Sequence, residues 1–252
     1  MDERIRARLF VEADLAAGAE LALPREQAHY LAHVLRLGPG AAVALFNGRD
    51  GEWRAGVGGL GKSRAVLRVE TRLRDQAAET DLWLVFAPVK KTPLDFMIQK
   101  AVELGVGALL PVITRHTAVE RVRRDRLRAN AIEAAEQCER LTVPRVDEPV
   151  SLSHLLDQWP AGRRLLLCAE AGEAAPIQEV LGDSDPGGAW AVLTGPEGGF
   201  AETELDAMRK LPFVTAVSLG PRVLRADTAA LAALACWQAN LGDWRQRPPR
   251  RA

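Results

Sequence analysis

Two glycine-proline loops hold the residue types in this 252-residue chain that are best suited to chemistry. The first, Leu193-Thr194-Gly195-Pro196-Glu197-Gly198-Gly199-Phe200, sets a carboxylate among three glycines, whose missing side chains let backbone amides come close to a ligand. The second, Ser218-Leu219-Gly220-Pro221-Arg222-Val223-Leu224-Arg225-Ala226-Asp227-Thr228, opens the last helix. Each follows an apolar run that reads as a strand. In open α/β sheets ligands lie in the crevice beyond the carboxyl ends of the strands, where both loops fall, so the natural inference is a bound small molecule. Either loop alone reads equally well as a tight strand-to-helix turn. Two of them together favour the ligand.

Two louder motifs carry less weight. Gly56-Val57-Gly58-Gly59-Leu60-Gly61-Lys62-Ser63 fits the G-x-x-x-x-G-K-[ST] phosphate loop and, through Gly56, Gly58 and Gly61, the dinucleotide fingerprint. Both mechanisms need a helix after the glycines, because its N-terminus supplies the amides and the dipole that hold phosphate. Here Arg64 to Glu70 alternates as a strand does, so a hairpin turn whose glycines take positive φ is the better reading. His29 and His33 stand four apart on a predicted helix, as metal ligands would, but no acidic partner or third ligand accompanies them. No metal is expected.

The elements that must position the two loops follow from patterning. Residues 1–72 hold short alternating runs (Ala42 to Phe46, Glu52 to Gly56, Arg64 to Glu70) between glycine turns at Asn47-Gly48 and Gly56 to Gly61, the signature of a small antiparallel sheet or barrel. One helix interrupts it, over about Arg25 to Leu35. Residues 73–80 read as a polar linker. From 81 to 245 apolar strands (Leu82 to Ala87, Ala108 to Ile113, Leu165 to Ala169, Trp190 to Leu193, Val214 to Leu219) alternate with helices. That grammar predicts a mainly parallel α/β sheet with helices on both faces. The final helix, Leu224 to Leu241, is apolar nearly all round, which predicts burial on every side or packing against a second subunit. Residues 246–252 form a basic tail.

Composition bounds the rest. Lys and Arg number 33, as do Asp and Glu, so the formal net charge is zero, which argues against a chain that is only a polycationic nucleic-acid wrapper. Among the basic residues only five are lysines, leaving 28 arginines that gather near the N-terminus and between residues 115 and 128. Hydrophobic residues make up 48%, enough for real cores. Cys138, Cys168 and Cys236 fall in no paired spacing and read as reduced thiols. No apolar run is long enough to span a membrane, and MDERIRARLF lacks the apolar centre of a signal peptide, so a cytoplasmic location is expected.

LTGPEGGF, LGPRVLRADTAALAAL, the segment Asp95 to Val106, Glu136-Gln137-Cys138-Glu139-Arg140 with Val143-Pro144, and HYLAHVLRLGPG together resemble the RsmE family, small-subunit rRNA uracil-N3 methyltransferases of the SPOUT superfamily. The likeness runs from the first strand to the last helix. It implies an N-terminal PUA-like β-barrel for RNA, a C-terminal trefoil-knotted α/β methyltransferase domain, S-adenosylmethionine as methyl donor, 16S rRNA or the small ribosomal subunit as substrate, and a homodimer. One departure is visible: relatives usually carry Arg-Thr-Glu-Thr where this chain has Arg225-Ala226-Asp227-Thr228.

On that resemblance the cofactor lies against Leu193, Thr194, Gly195, Glu197, Gly198 and Gly199 of the first loop and Leu219, Gly220, Val223 and Leu224 of the second. Arg225 is the candidate for stabilising charge that develops on the base, with Glu197 and Asp227 as candidates to take the proton; an Arg225–Asp227 pair that merely caps the helix is the plainer alternative. Arg4, Arg6 and Arg8, which alternate along a strand, and Arg121 and Arg124 are candidate phosphate contacts. Two rivals remain: an RNA-binding or ribosome-assembly protein of the same fold without chemistry, and a nucleotide-dependent enzyme using the Gly56 to Ser63 loop.

Overall fold

The computed structural model describes residues 4–60, 65–119, 121–169, 174–184 and 187–247. The chain forms two compact units, Met1–Ala78 with Ile132–Val143, and Glu79–Ala131 with Pro144–Ala252.

In the first unit β1 (Arg8–Phe10), β2 (Glu20–Leu23), β3 (Ala42–Phe46), β4 (Glu52–Leu60) and β5 (Ala65–Arg74) form one sheet in the order β1-β3-β4-β5-β2. Alternation along β5 buries Ala65, Leu67 and Val69 and exposes Val66, Arg68 and Glu70, as a strand with one wet face requires. The β3–β4 hairpin turns at the expected place: Asn47 Oδ1 accepts from the N–H groups of Arg49 and Asp50, at 3.0 and 2.9 Å. The sheet is not wholly antiparallel. β1 runs parallel to β3, with Leu9 opposite Leu45, because the chain between them leaves to make β2 and α1 (Arg25–His29) before it returns. Nor is the helix uniform. α1 passes into a π-helical turn, Tyr30–Val34, in which Leu35 N–H donates to the Tyr30 carbonyl at 3.0 Å, while Ala28 and Leu31 keep the buried positions.

The glycines of the apparent phosphate loop lie inside β4 rather than in a turn. Gly56 is opposite Arg68 and Gly59 opposite Val66, with a register shift between Val57 and Gly59, and none of Gly56, Gly58 and Gly59 has positive φ. Gly61, Lys62 and Ser63 lie outside the described residues, and a strand follows them.

Arg8, expected to face RNA, is turned inward. Its guanidinium pairs with Glu52, donates to the carbonyl of Ala135 at 2.8 Å and to that of Arg140, and covers the Phe46 ring at 3.8 Å. The Arg8 side chain is 10% exposed and that of Glu52 9%. A guanidinium that spends three of its five N–H donors on a buried carboxylate and two carbonyls, with its side chain 10% exposed, is not presented to phosphate.

The second unit is one sheet built wholly of parallel pairs. Its strands are β6 (Leu82–Phe86), β7 (Ala108–Ile113), β8 (Arg145–Val146), β9 (Val150–Ser151), β10 (Arg164–Cys168), β11 (Ala175–Pro176), β12 (Trp190–Thr194) and β13 (Val214–Ser218). The order is β11-β13-β10-β12-β6-β7-β8, with β9 beside β7. Between them run α2 (Lys91–Glu103), α3 (Arg124–Gln137), α4 (Leu152–Asp157), α5 (Ile177–Gly182), α6 (Glu202–Arg209) and α7 (Ala226–Asn240). The central strands are continuous apolar runs because both faces are covered. Val85, Leu165, Leu167, Ala191 and Leu193 pack with Leu152 of α4 and Met208 of α6. Their alternates Leu84, Leu166 and Val192, equally buried, face the other way, where α7 lies against β10 and β12.

α7 is not buried on every side within the single chain. Ala230, Ala233, Leu234, Trp237 and Gln238 are buried, against α2, α5 and the sheet, whereas Leu231, Ala232, Ala235 and Cys236 keep part of their surface. The all-round apolar sequence therefore serves two faces in different ways.

Candidate active site

β13, β10 and β12 are neighbours, and their carboxyl ends open on a crevice of about 450 Å³, counting the part that is open to solvent. Both glycine-proline loops reach it. Thr194 and Gly195 come from the end of β12, and Leu219, Gly220, Val223 and Leu224 from the loop after β13. Cys168 and Ala169 at the end of β10 form the floor between them, and Ala226 and Ala229 of α7 close the side. The wall mixes apolar side chains with backbone and side-chain polar groups. Burial pushes the Cys168 thiol up to about 12, so the group that borders the crevice is a neutral thiol. Thr194 is 1% exposed, yet its Oγ1 has no hydrogen-bond partner among the described residues. A buried hydroxyl without a partner costs stability unless a ligand supplies one.

The rest of the first loop is not among the residues that line the crevice. Glu197 is exposed, and its Oε1 makes a long 3.4 Å contact with Lys90 N–H, at the start of α2. The carbonyls of Gly198 and Gly199 face His116 Nδ1, at 3.2 and 3.3 Å. On the second loop, Arg225 is the exposed N-cap residue of α7, between crevice-lining Leu224 and Ala226, with no ion pair to another described residue. Asp227 Oδ1 accepts from Thr228 N–H at 2.9 Å, so the carboxylate serves an open amide of the helix's first turn rather than Arg225.

A family model described as an RNA methyltransferase domain matches residues 76–238, and one described as an RNA methyltransferase PUA domain matches residues 23–70. A ribosomal RNA small subunit methyltransferase E from Rickettsia conorii is 32% identical over 234 residues, covering 90% of this chain and 93% of that protein. The chain belongs to the ribosomal RNA small subunit methyltransferase E family. A methyltransferase E of Neisseria gonorrhoeae, solved bound to S-adenosyl methionine, superposes with a TM-score of 0.84 at 32% identity, covering 94% of this chain and 99% of that one. A putative methyltransferase of Legionella pneumophila, solved with the bound cofactor, gives 0.79 at 28% identity, covering 94% and 98%.

The structure sorts the residues expected from sequence. Thr194, Gly195, Leu219, Gly220, Val223 and Leu224 meet in one crevice. Leu193 lies beneath it, fully buried in the sheet core, and does not line it. Glu197, Gly198 and Gly199 continue the same loop without lining the crevice, and Arg225 and Asp227 stand at the helix start. Cys168, Ala169, Arg222, Ala226 and Ala229 line the crevice without having been singled out. The pair at the end of β10 carries no glycine signal; only the position of that strand between β12 and β13 reveals it.

The arginines divide as well. Arg4, Arg6 and Arg121 are exposed, with no ion pair to another described residue. Arg124 is half committed, donating to the Val146 carbonyl at 2.7 Å and pairing with Glu148 at 3.3 Å. Among the described residues no group of three or more His, Cys, Asp or Glu is placed to hold a metal, and no helix is long and apolar enough to cross a membrane.

Proposed function

We propose that the crevice at the ends of β10, β12 and β13 holds S-adenosylmethionine and that this chain methylates N3 of a uridine in 16S rRNA. The observation that carries the cofactor assignment is the Thr194 hydroxyl, buried without a partner among the described residues in a crevice lined by residues of both glycine-proline loops. Apolar side chains interleaved with backbone and side-chain polar groups suit a purine nucleoside. When bound, S-adenosylmethionine supplies a sulfonium methyl, an electrophile that needs no further activation.

The chain's own task is to hold uracil N3 in line with that methyl and to receive its proton, as the N3–CH3 bond forms and the S–CH3 bond breaks. Arg225, next to the crevice and with its cation unpaired among the described residues, stabilises negative charge that develops on the uracil ring. Asp227 keeps Oδ2, and Glu197 Oε2, available as proton acceptors, since each uses its other oxygen on a backbone N–H. Arg4, Arg6 and Arg121 are the phosphate contacts we assign to the rRNA. The homodimer and the trefoil knot belong to the same reading. The partly exposed apolar side of α7 supports the first, and the placing of β12 between β6 and β10 supports the second. An rRNA substrate in turn supports a cytoplasmic location.

The test is purified protein with labelled S-adenosylmethionine and small subunits from cells that lack the enzyme, followed by mapping of the modified base. Label on N3 of one uridine is expected; label elsewhere, or none, overturns the assignment. Arg225→Ala should lower turnover while calorimetry finds the cofactor affinity unchanged, and unchanged turnover would remove Arg225 from the chemistry. Sedimentation equilibrium should give twice the chain mass; a monomer refutes the dimer.

A further inference from the structure

We infer that His116 is a positioning residue for the loop Thr194 to Phe200, holding its Gly198-Gly199 backbone in the shape that binds S-adenosylmethionine. The inference rests on the reading of that loop as part of the cofactor site. His116 lies in the turn after β7, at the same carboxyl edge of the sheet as the crevice, but it is not among the residues that line it. It therefore acts through the loop backbone and not by touching the cofactor.

Its Nδ1 stands 3.2 Å from the Gly198 carbonyl oxygen and 3.3 Å from that of Gly199. Carbonyl oxygens only accept, so Nδ1 carries a proton in this arrangement and is shared between the two. Because C=O and N–H point opposite ways in a trans peptide, two consecutive carbonyls drawn to one donor turn the N–H groups of Gly199 and Phe200 away from it. Gly199 N–H accordingly donates to the Pro196 carbonyl at 2.9 Å. One imidazole thus sets the direction of two peptide planes in a segment whose glycines would otherwise leave them free to rotate.

The support beneath His116 is itself fixed. Thr117 Oγ1 accepts from Thr114 N–H at 2.9 Å and lies 2.9 Å from Thr114 Oγ1. Glu204 of α6 accepts from Arg115 N–H with Oε1 and from Ala201 N–H with Oε2, both at 2.9 Å. One carboxylate therefore ties the residue before His116 to the residue just after the glycine loop. Packing agrees, since a Cβ on Gly198 would stand only 3.3 Å from His116 Cβ. The histidine is seated against the loop, and the loop has a glycine where it sits.

Calorimetric titration of the full chain with S-adenosylmethionine tests this. His116→Asn keeps an N–H donor at the δ position, His116→Gln moves the donor one bond farther out, and His116→Leu removes it. The Leu and Gln variants are expected to raise Kd about five- to tenfold, the cost of one hydrogen bond, with Asn within about twofold of wild type. Thermal midpoints without cofactor show whether each variant is folded. Wild-type affinity in His116→Leu overturns the inference. Should that variant fail to fold, equal affinities of the Asn and Gln variants overturn it instead. Wild-type protein that does not bind S-adenosylmethionine refutes the cofactor reading of the loop, a different result.

Discussion

Arg6 and Arg8 stand two residues apart with the same side chain, yet burial gives them opposite work. Arg8 holds Glu52 and two carbonyls in the interior of the first unit, whereas Arg6 is exposed. Glu52 keeps its pair with Arg74, but removal of Arg8 takes away its second cation and leaves two carbonyls without their donor, so Arg8→Ala should cost about 2–3 kcal/mol in urea unfolding. Arg6→Ala should stay within about 0.5 kcal/mol of wild type, as surface changes do. It should instead lower affinity for rRNA and reduce the log–log salt slope by about one. The opposite pattern would exchange their roles. Thr194 offers a second contrast of this kind. Thr194→Val keeps the shape and removes a hydroxyl that has no partner among the described residues, so the melting temperature should hold or rise. Affinity for S-adenosylmethionine should fall severalfold, by about one hydrogen bond's worth. Unchanged affinity would mean that the hydroxyl does not meet the cofactor.

Between elements, the C-terminal ends of α2 and α7 are joined by one amide. Gln238 is 0% exposed; its Nε2 donates to the Leu104 carbonyl at 2.7 Å and its Oε1 accepts from Asp243 N–H at 2.9 Å. Gln238→Leu leaves both backbone groups unpaired, and a loss of about 2 kcal/mol is expected from the denaturant midpoint. A neutral result would mean that water replaces the amide. This tie could not be read from α7, where a lone glutamine near the end of an apolar run looks like a solvent-facing residue. By contrast β3 and β7 match their sequence bounds to the residue, because apolar runs bounded by turn formers state a strand in local terms. The pairs β8, β9 and β11 are two residues each, too short for any period to register.

Over the whole molecule, charge and pH act through a few buried groups. Burial alone would push the Glu52 carboxyl up, but hydrogen bonds from Arg74 and Arg8 outweigh it and leave it below its ordinary value. Its contribution is full above the unfolded carboxyl value of 4.5 and is lost as pH falls through the lowered folded value. Asp50, lowered by hydrogen bonds from Leu15 N–H and Asn47, acts in the same sense. Glu136 acts in the opposite one: burial raises its carboxyl despite the bond from Phe10 N–H, so its share of stability declines as pH rises. Urea stability measured from pH 7 downward should therefore fall on the acid side. Glu52→Gln should be less stable at neutral pH and show a shallower acid fall; an unchanged slope would show that the pair does not titrate with folding. The sequence by itself determined the two architectures, the two glycine-proline loops and the family, because each is written in local periods, turn residues and short motifs. Tertiary structure alone decided which arginine is buried, that residues 132–143 join the first unit, that Cys168 and Ala169 complete the crevice, and that His116 meets Gly198 and Gly199. Those contacts join residues tens of positions apart, and no period along one chain records which strand ends become neighbours.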